Sequence, residues 1–302
     1  MKPDLVNPIK IKQSRNGVSA MLGHGFVILE DRHRWSDLSW HTKILGGKME
    51  GIVLKPGEVH FFYTRANEIQ TPLLLKKYRD ISSDKEKTKI DRYVFERDRH
   101  NCLVTRGLLR FVLSRCTGIC PSAFGFEENA YGKPGLIPGV TNIPIQFNLS
   151  HAGGLTACAV VLDHEIGIDV EDATREIDLN IADRFFSPQE ADFLGQTRDQ
   201  DKKAVFFDFW TLKESYIKAK GKGLSIPLDK FGFTINKDST LIGFDPAYTD
   251  SPENFSFFRF PLLEKFKAAI TLQAPKAKKF HLRIYQCVPF KQVKQQDQIR
   301  IL

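Results

Sequence analysis

The sequence predicts an α+β fold, because segments typical of helices and of strands are mixed along the chain without strict β–α–β alternation. With 302 residues, the chain can bury a sizeable core and form two compact units. Its 42% apolar and 26% charged residues are ordinary for a soluble globular protein. Residues 1–50 show no pattern that assigns them a role, so we treat them as an N-terminal extension of unknown function.

The first long helix is predicted over residues 82–118. Ser82 or Ser83 caps its start, basic residues lie along its length, and Gly118 ends it. The glycine and proline density of YGKPGLIPG (131–139) then predicts a loop.

The middle of the chain predicts a hairpin and a short helix. The stretch 145–162 is typical of two strands joined by a turn at Gly153 and Gly154. In SPQEADFLG (187–195), Ser187 is the cap, followed by proline and, at the third position, by glutamate. Further segments typical of strands are GEVHFFYTR (57–65), IGIDVE (166–171), FGFTI (231–235), FSFFRF (255–260), KAAITL (267–272) and FHLRIYQCV (280–288).

The helix predicted at FFDFWTLKESYIKAKGKG (206–223) has two stripes. One stripe is apolar and is predicted to face the core; its members are Phe209, Leu212, Tyr216 and Ala219. The other consists of Trp210, Glu214 and Lys218, each four residues apart. Taken alone, this second stripe is also compatible with a Glu–Lys pair on a solvated face, which contributes a few tenths of a kcal/mol.

The charge and the cysteines indicate the environment and the kind of partner. A net charge of +8 favours a polyanionic partner: a nucleic acid, a phosphorylated ligand or an acidic protein. The five cysteines are scattered, and Cys116 and Cys120 lack the CxxC spacing of zinc or redox sites, so we expect reduced, mostly buried cysteines and a cytoplasmic location. We find no secretory signal and no apolar run long enough to span a membrane.

The strand IGIDVE brings two carboxylates to one face. Its alternation sends Asp169 and Glu171 to the same side, with Gly167 beside them leaving room. Adjacent like charges repel, and Mg²⁺ with its preference for carboxylate and phosphate oxygens is the usual remedy. A solvated strand face is the alternative.

The segment FNLSHAGG indicates a phosphate cradle. Ser150 and His151 lie at a strand end before a glycine turn, where a hydroxyl, an imidazole and backbone amides are available to a phosphate. Lys133, on a rigid loop, is a further candidate phosphate ligand. Adjacent strand residues point apart and no GxSxG motif is present, which argues against a Ser–His nucleophile pair. An ordinary turn remains the alternative.

The order and spacing of the motifs is more specific than any one of them. The series YGKP (131–134), FNLSH (147–151), IGIDVE (166–171) and FWTLKESYIKAKGKGLSIPL (209–228) resembles the signature of surfactin-synthetase-type 4′-phosphopantetheinyl transferases. The resemblance covers residues 57–235. It implies two similar α/β halves related by a pseudo-twofold, transfer of the phosphopantetheine arm of coenzyme A to a serine of an apo carrier protein, release of 3′,5′-ADP, and dependence on Mg²⁺.

The resemblance also implies that the chain has two halves with different functions. Residues 51–164 would form the coenzyme A-binding half and residues 165–302 the Mg²⁺-binding, catalytic half, with the hairpin through DHE (163–165) between them.

By the same resemblance, Asp169, Glu171 and Glu214 would hold Mg²⁺. Glu214 is also the candidate base for the carrier serine, Lys218 would contact the pyrophosphate, and Trp210 would wall the site, or else pack as an ordinary aromatic residue.

The coenzyme end of the site is implied in the same way. Ser150, His151 and Lys133 would contact the 3′-phosphoadenosine, Pro134 would pack near the adenine, and Arg106 would contact the coenzyme, although Thr105 replaces the family's usual glycine. Lys87 and Lys89, at the basic start of the predicted helix, match the coenzyme-contacting residues of the family less closely.

The implied partner is an acidic acyl or peptidyl carrier protein, modified by a monomeric enzyme. Its docking surface would include residues 173–193, where Phe185, Phe186 and Phe193 are either contacts or core. Two alternatives remain open: a metal-dependent nuclease, and a catalytically silent coenzyme A-binding regulator. No nucleic-acid module is recognisable, the Glu–Lys spacing is that of a helix, and all three acidic positions are intact.

Overall fold

The computed structural model describes residues 51–302, except 237, 238, 247, 298, 300 and 302, together with the backbone of 12–14 and 17–19. The chain divides into two units, residues 1–38 and 39–302. In the first unit, strands β1 (Lys12–Ser14) and β2 (Gly17–Ser19) pair antiparallel with each other. The rest of the predicted N-terminal extension lies outside the described residues.

The second unit contains the helices and the remaining strands. Its helices are α1 (Pro72–Ile81), α2 (Asp84–Asp91), α3 (Glu96–Thr117), α4 (Ala182–Phe185), α5 (Pro188–Gln196) and α6 (Asp199–Lys220). Its strands are β3 (Glu58–Arg65), β4 (Phe126–Glu128), β5 (Pro134–Leu136), β6 (Ile145–Ala152), β7 (Leu155–Leu162), β8 (Glu165–Asp172), β9 (Phe231–Ile235), β10 (Thr240–Phe244), β11 (Phe255–Leu262), β12 (Phe266–Gln273), β13 (His281–Val288) and β14 (Gln292–Gln295).

Two sheets pack face to face in this unit. The first has the order β14-β13-β3-β7-β6, with β13 parallel to β3 and the other pairs antiparallel. The second has the antiparallel order β11-β12-β8. Their facing side chains form one buried apolar core, in which Phe61 and Ala159 of the first sheet share a cluster with Ile168 and Ile270 of the second.

Each sheet carries one 22-residue helix on its other face. Leu108 and Phe111 of α3 pack with Phe62 of the first sheet, whereas Leu212 of α6 packs with Ala269 of the second. The two halves thus repeat one plan of helix on sheet, and the α+β class is confirmed. None of the described helices has a run both long and apolar enough to cross a membrane.

The predicted helix over 82–118 is two helices, α2 and α3, so the prediction of one continuous helix was wrong. Ser83 caps α2 in a capping box with Glu86, and Gly118 ends α3 with a φ of 76°. Between the helices, the Arg99 guanidinium donates to two backbone carbonyls, those of residues 93 and 94. These bonds satisfy carbonyls at the turn between the helices, and no glycine or proline marks that turn in the sequence.

Most of the other predicted elements are present. The hairpin turns at Gly153 and Gly154, whose φ angles of 55° and 80° suit a two-residue type I′ turn. Ser187 caps α5 as predicted. The predicted loop over 131–139 contains the short strand β5, and five further helices and strands of the second unit were not predicted: α1, α4, β4, β10 and β14.

The cysteines are all free thiols. Cys158 and Cys287 are buried, whereas Cys102, Cys116 and Cys120 are only partly buried. The expectation of mostly buried cysteines is therefore met by two of the five.

The last two strands cross from the second half back to the first. Although β13 and β14 follow the second sheet in sequence, they complete the first sheet beside β3. A boundary at residue 164 does not separate the two sheets, because strands from both sides of it build the first sheet. The assignment of coenzyme binding to residues 51–164 and of catalysis to residues 165–302 stays a prediction.

A fully buried ion pair ties α6 to the elements around it. Lys213 Nζ lies 2.7 Å from Glu190 Oε2 and also donates to the backbone carbonyls of Leu228 and Phe231, each at 2.7 Å. The other carboxylate oxygen, Glu190 Oε1, accepts the backbone N–H of Phe233 at 2.8 Å. Every bond of this pair is internal, so its role is to hold α5, α6 and β9 together.

We predict that Lys213→Met lowers the free energy of unfolding by about 3–5 kcal/mol, because it leaves the Glu190 carboxylate buried without its cation. Urea denaturation at neutral pH measures the loss. The control is Lys76→Met, whose exposed partner is Asp80; it should change stability by less than about 1 kcal/mol. Equal effects of the two substitutions would contradict the structural role of Lys213.

A second buried pair holds α2 against α3. Arg110 donates from Nε and Nη2 to Glu86 Oε2, and from Nη1 to the carbonyl of Pro121 at 2.6 Å. Burial by itself would raise the pKa of Glu86, but the hydrogen bonds and charge of Arg110 outweigh it and hold that pKa below its ordinary value.

This pair should make stability depend on acid pH. Because the folded-state pKa of Glu86 is lowered, its contribution is fully present above the ordinary carboxyl pKa and is lost as pH falls through the folded-state value. We therefore expect Glu86→Gln to destabilise the protein by about 3 kcal/mol at pH 7 and by progressively less in increasingly acidic buffer. Parallel denaturation curves at several pH values test this; a difference that stays constant with pH would refute it.

Candidate active site

Strand β8 forms the floor of the candidate site, and α6 lies directly on it. A Cβ atom at Gly167 would overlap the backbone oxygen of Ser215 and the backbone nitrogen of Ala219. Only glycine permits this approach, which brings the Glu214–Lys218 stripe of α6 over the carboxylates of β8.

Asp169 lies at the centre of the cluster. Its Oδ1 atom accepts from Lys218 Nζ at 2.6 Å and from the Ser150 hydroxyl at 3.0 Å. Its Oδ2 atom is buried and has no hydrogen-bond partner among the described residues. The structure thus brings together three of the predicted site residues from three separate elements: β6, β8 and α6.

Two further carboxylates, Glu171 and Glu214, surround Asp169. Burial and then the charge of Asp169 raise the pKa of Glu171 to about 7, and Arg175, 3.3 Å from Glu171, only partly opposes this. Burial also raises the pKa of Glu214, where the nearby Lys218 lowers it and Asp169 raises it. Glu214 makes no hydrogen bond or ion pair with any side chain that the structure describes.

These residues fit a cation in charge and donor type. Asp169 Oδ2 is an orphaned buried acceptor, and the mutual repulsion of three carboxylates is what a divalent cation relieves. Within the described residues, however, no three such side chains already form a closed ligand set. In this state, the ammonium of Lys218 neutralises Asp169 instead.

The predicted aromatic residues near α6 differ in how deeply they are buried. Trp210 is half-buried and packs on Phe206 and edge-on against Phe185. Phe186 is buried in the core of the second half, so of the two alternatives for this residue, partner contact or core, the structure supports the core. Phe193 is 49% exposed and remains available at the surface.

The loop carrying Lys133 is fastened to the C-terminal end of α6. Asn129 donates to the carbonyl of Gly221 at 2.7 Å and accepts the backbone N–H of Lys133 at 3.0 Å. Lys133 Nζ contacts Glu165 Oε2 at 2.6 Å and the carbonyl of Ala219 at 3.1 Å. This predicted coenzyme ligand therefore lies at the start of β8, at the opposite end from Glu171.

Other predicted coenzyme residues meet beside this loop. Arg106, Pro134 and Lys89 all line one cavity of about 50 Å³. Arg106 Nε lies 3.8 Å from Glu86 Oε1. The structure thus joins residues that are far apart in sequence, from α2, α3 and β5.

His151 lies apart from that cavity, beside a larger one. It shares a cavity of about 670 Å³ with Asp98, Asn101 and the Gly153 turn. Partial burial, followed by the positive charge of Lys218, lowers the pKa of its imidazole, so the ring is neutral at pH 7.

Two residues of the site escaped the sequence analysis. Lys213, beside Glu214 in the motif, is a buried structural cation, and its signal would have been that it falls on the core-facing side of α6. Asn148 is buried on β6, and its Oδ1 accepts the backbone N–H of Ile168 at 3.0 Å. Its signal was weak: a polar residue at every second position of an otherwise apolar strand.

Two family models match this chain. The model described as "4'-phosphopantetheinyl transferase, N-terminal" matches residues 75–162. The model described as "4'-phosphopantetheinyl transferase superfamily" matches residues 165–271, which include β8 and α6.

Curated relatives agree with these matches. The 4′-phosphopantetheinyl transferase gsp of Aneurinibacillus migulanus is 32% identical over 201 residues, covering 65% of this chain and 81% of the relative. The 4′-phosphopantetheinyl transferase Sfp of Bacillus subtilis is 37% identical over 167 residues, covering 55% of this chain and 72% of the relative. HetI of Nostoc, also a 4′-phosphopantetheinyl transferase, is 38% identical over 146 residues, covering 48% and 61%.

The matched residues thus include β8 with its carboxylates, the helix α6 that lies on it, and the loop that carries Lys133. The chain belongs to the 4′-phosphopantetheinyl transferase superfamily.

Proposed function

We propose that this protein transfers the 4′-phosphopantetheine arm of coenzyme A to a serine of an apo carrier protein and releases 3′,5′-ADP. The observation that carries the proposal is the cluster of Asp169, Glu171, Glu214 and Lys218, held at one edge by β8 and α6. Family membership supplies the reaction class, and the cluster supplies the groups for it.

Glu214 is the proposed general base. Its raised pKa makes it a better proton acceptor than an ordinary glutamate, and no described side chain occupies its carboxylate. It would take the proton of the carrier serine hydroxyl as the oxygen attacks the β-phosphorus. The bond from that phosphorus to the bridging oxygen breaks, and the electron pair leaves with 3′,5′-ADP.

Lys218 would stabilise the charge that develops on the pyrophosphate. Its ammonium already lies within the cluster, 2.6 Å from Asp169 Oδ1, and a positioned cation in a partly buried site strengthens such stabilisation. Asp169, Glu171 and Glu214 would hold Mg²⁺, which supplies charge neutralisation of the pyrophosphate oxygens when it is bound.

The adenosine end of coenzyme A is proposed to lie along Lys133, Pro134 and Arg106, whereas His151, whose imidazole interacts with the charges of Lys218 and Asp169, is proposed to contact the coenzyme nearer that cluster. Lys133 lies at the start of β8, and Arg106 shares a cavity with Pro134 of the same loop, so the two cations suit a 3′-phosphate. The ordering Lys133, Asp169, Glu171 along β8 gives the coenzyme a direction: adenosine at the start of the strand and the pantetheine arm toward its end.

The carrier protein is proposed to be acidic. Between residues 265 and 296 the sequence has no Asp or Glu, but it has Lys or Arg at 265, 267, 276, 278, 279, 283, 291 and 294. A positive field of this kind steers an acidic partner. Residues 173–193, with the exposed Phe193, are the proposed docking stretch.

We further propose that the enzyme acts as a monomer in the cytoplasm. A single chain supplies all four members of the carboxylate–lysine cluster, and all five cysteines are free. The nuclease alternative has less support, because Glu214 and Lys218 lie on a helix and the family models match across both halves.

The test is mass spectrometry of an apo acyl carrier protein after incubation with this protein, coenzyme A and Mg²⁺. The proposal expects the carrier to gain the mass of one phosphopantetheine, and excess chelator to prevent the gain. A carrier of unchanged mass under all conditions, together with nicked nucleic acid in a parallel incubation, would favour a nuclease. Binding of coenzyme A without transfer would favour a silent regulator.

We predict that Glu214→Gln lowers kcat by on the order of a hundredfold or more, because it removes the base while keeping the side-chain size. Coenzyme A binding, measured by calorimetry, should persist. The matched control is Glu253→Gln, an exposed carboxylate that is hydrogen-bonded to Ser251 and lies outside the proposed site and docking stretch; it should leave kcat unchanged. Unchanged turnover in Glu214→Gln would show that Glu214 is not the general base.

We also predict that Lys133→Ala raises the KM for coenzyme A more than the KM for 3′-dephospho-coenzyme A. The loss of one charged contact costs about 1.5–3 kcal/mol, but only for the substrate that carries the 3′-phosphate. Steady-state kinetics with both substrates tests this prediction; equal changes in the two KM values would show that Lys133 does not contact the 3′-phosphate.

A further inference from the structure

We infer that Ser150 and Asn148 are positioning residues that set the Asp169 carboxylate for transfer, and that the Ser150 hydroxyl acts within the chain rather than as a ligand of a phosphate. The inference rests on the proposed function and assigns a different part to Ser150 from the one implied by family resemblance. It follows from the way the edge of β6 meets the edge of β8.

The two sheets meet at this edge through side chains. β6 pairs with β7, and β8 pairs with β12, but no backbone ladder joins β6 to β8. Instead, Asn148 Oδ1 accepts the N–H of Ile168 at 3.0 Å, and Ser150 Oγ accepts the N–H of Val170 at 3.1 Å. We call these two bonds the β6–β8 seam.

The spacing of the seam matches on both strands. Asn148 and Ser150 are two residues apart and share a face of β6, while Ile168 and Val170 are two apart and present their N–H groups at one edge of β8. Side-chain oxygens thus satisfy two N–H donors that would otherwise be unpaired at a buried strand edge, which is energetically costly. The seam therefore fixes the register of β8 relative to the first half.

Ser150 also holds the catalytic cluster directly. Its single O–H donates to Asp169 Oδ1 at 3.0 Å, and its oxygen accepts from the Val170 N–H and, at 3.4 Å, from Lys218 Nζ. A hydroxyl offers one donor and two acceptor positions, so all three are in use within the chain. With 4% of its surface exposed, Ser150 has no capacity left for a phosphate oxygen.

This arrangement leaves the second oxygen of Asp169 for the reaction. Because the Ser150 hydroxyl and Lys218 both take Oδ1, the carboxylate is held with Oδ2 unpartnered among the described groups. Removal of the hydroxyl frees the carboxylate to rotate and unpairs the Val170 N–H. The loss should therefore appear in the rate of the chemical step rather than in coenzyme affinity.

The test compares Ser150→Ala, Ser150→Thr and the control Ser215→Ala. Ser215 is an equally buried hydroxyl that donates to the Leu212 carbonyl and pairs with Thr271 of β12, and among the described contacts it makes no hydrogen bond to Asp169. We expect Ser150→Ala to lower kcat about tenfold or more, since a hydrogen bond to a charged group is lost. The KM for coenzyme A and the Kd for 3′,5′-ADP should change less than twofold, and Ser150→Thr should restore much of kcat.

The control and a second seam variant separate the alternatives. Ser215→Ala should lower thermal stability but leave kcat within about twofold. Asn148→Ala cuts the seam without touching Asp169 and should lower kcat with coenzyme affinity preserved; it carries the same expectation if Ser150→Ala does not fold.

Three outcomes would overturn the inference. A raised Kd for 3′,5′-ADP in Ser150→Ala, with kcat unchanged, would make Ser150 a coenzyme contact. An equal loss of kcat in Ser215→Ala would show general destabilisation, and so would a failure of the threonine to restore activity. An inactive wild-type enzyme would instead count against the proposed function, while binding of 3′,5′-ADP to the variants could still be compared.

Discussion

The close packing of α6 on β8 at Gly167 is the constraint on which the site depends. With no side chain at that position, the helix backbone rests on the strand, and the Glu214–Lys218 stripe comes within contact distance of Asp169. The strand is held on its other edges as well, by the full ladder with β12 and by the seam to β6. A strand fixed on three sides can carry adjacent like charges without moving to separate them.

The charged residues of α6 divide into two groups that do different work. Lys213 and Glu190 are completely buried and are hydrogen-bonded to each other and to backbone groups, so this pair stabilises the fold. One residue further along, Glu214 faces the cluster and has no described partner. The rigid buried pair thus anchors the helix that presents the free carboxylate, which is how a protein keeps a reactive group in a defined place without neutralising it.

The electrostatics of the cluster explain why a polyanionic substrate with a divalent cation suits it. Burial together with the charge of Asp169 keeps Glu171 partly protonated near neutral pH, and raises the pKa of Glu214 as well. Lys218 relieves only one oxygen of Asp169, and the other is left without a partner in the described structure. The arrangement stores unfavourable repulsion that substrate and cation would release on binding, since like charges in a poorly solvated site are costly until they are neutralised.

Much of the local structure, and the side chains available for chemistry, could be predicted from the amino-acid sequence. Apolar periodicity placed the core face of α6 at Phe209, Leu212, Tyr216 and Ala219, all of which are buried. Alternation in IGIDVE set two carboxylates on one face, and the order of motifs indicated the family. These are properties of period and spacing, which residues within one element share whatever surrounds them.

Features that need two elements to meet could not be predicted from the sequence. In the turn between α2 and α3, Arg99 donates to the carbonyls of residues 93 and 94, and β13 joins the first sheet although it follows the second sheet in sequence. Lys213 falls on the core-facing side of α6, but only the fold shows that Glu190 and backbone carbonyls lie opposite it, whereas Asp169 lies opposite Lys218. Likewise, the sequence alone gives Ser150 the character of a phosphate ligand, because its hydrogen-bond partners on β8 and α6 are distant in sequence and adjacent only in the fold.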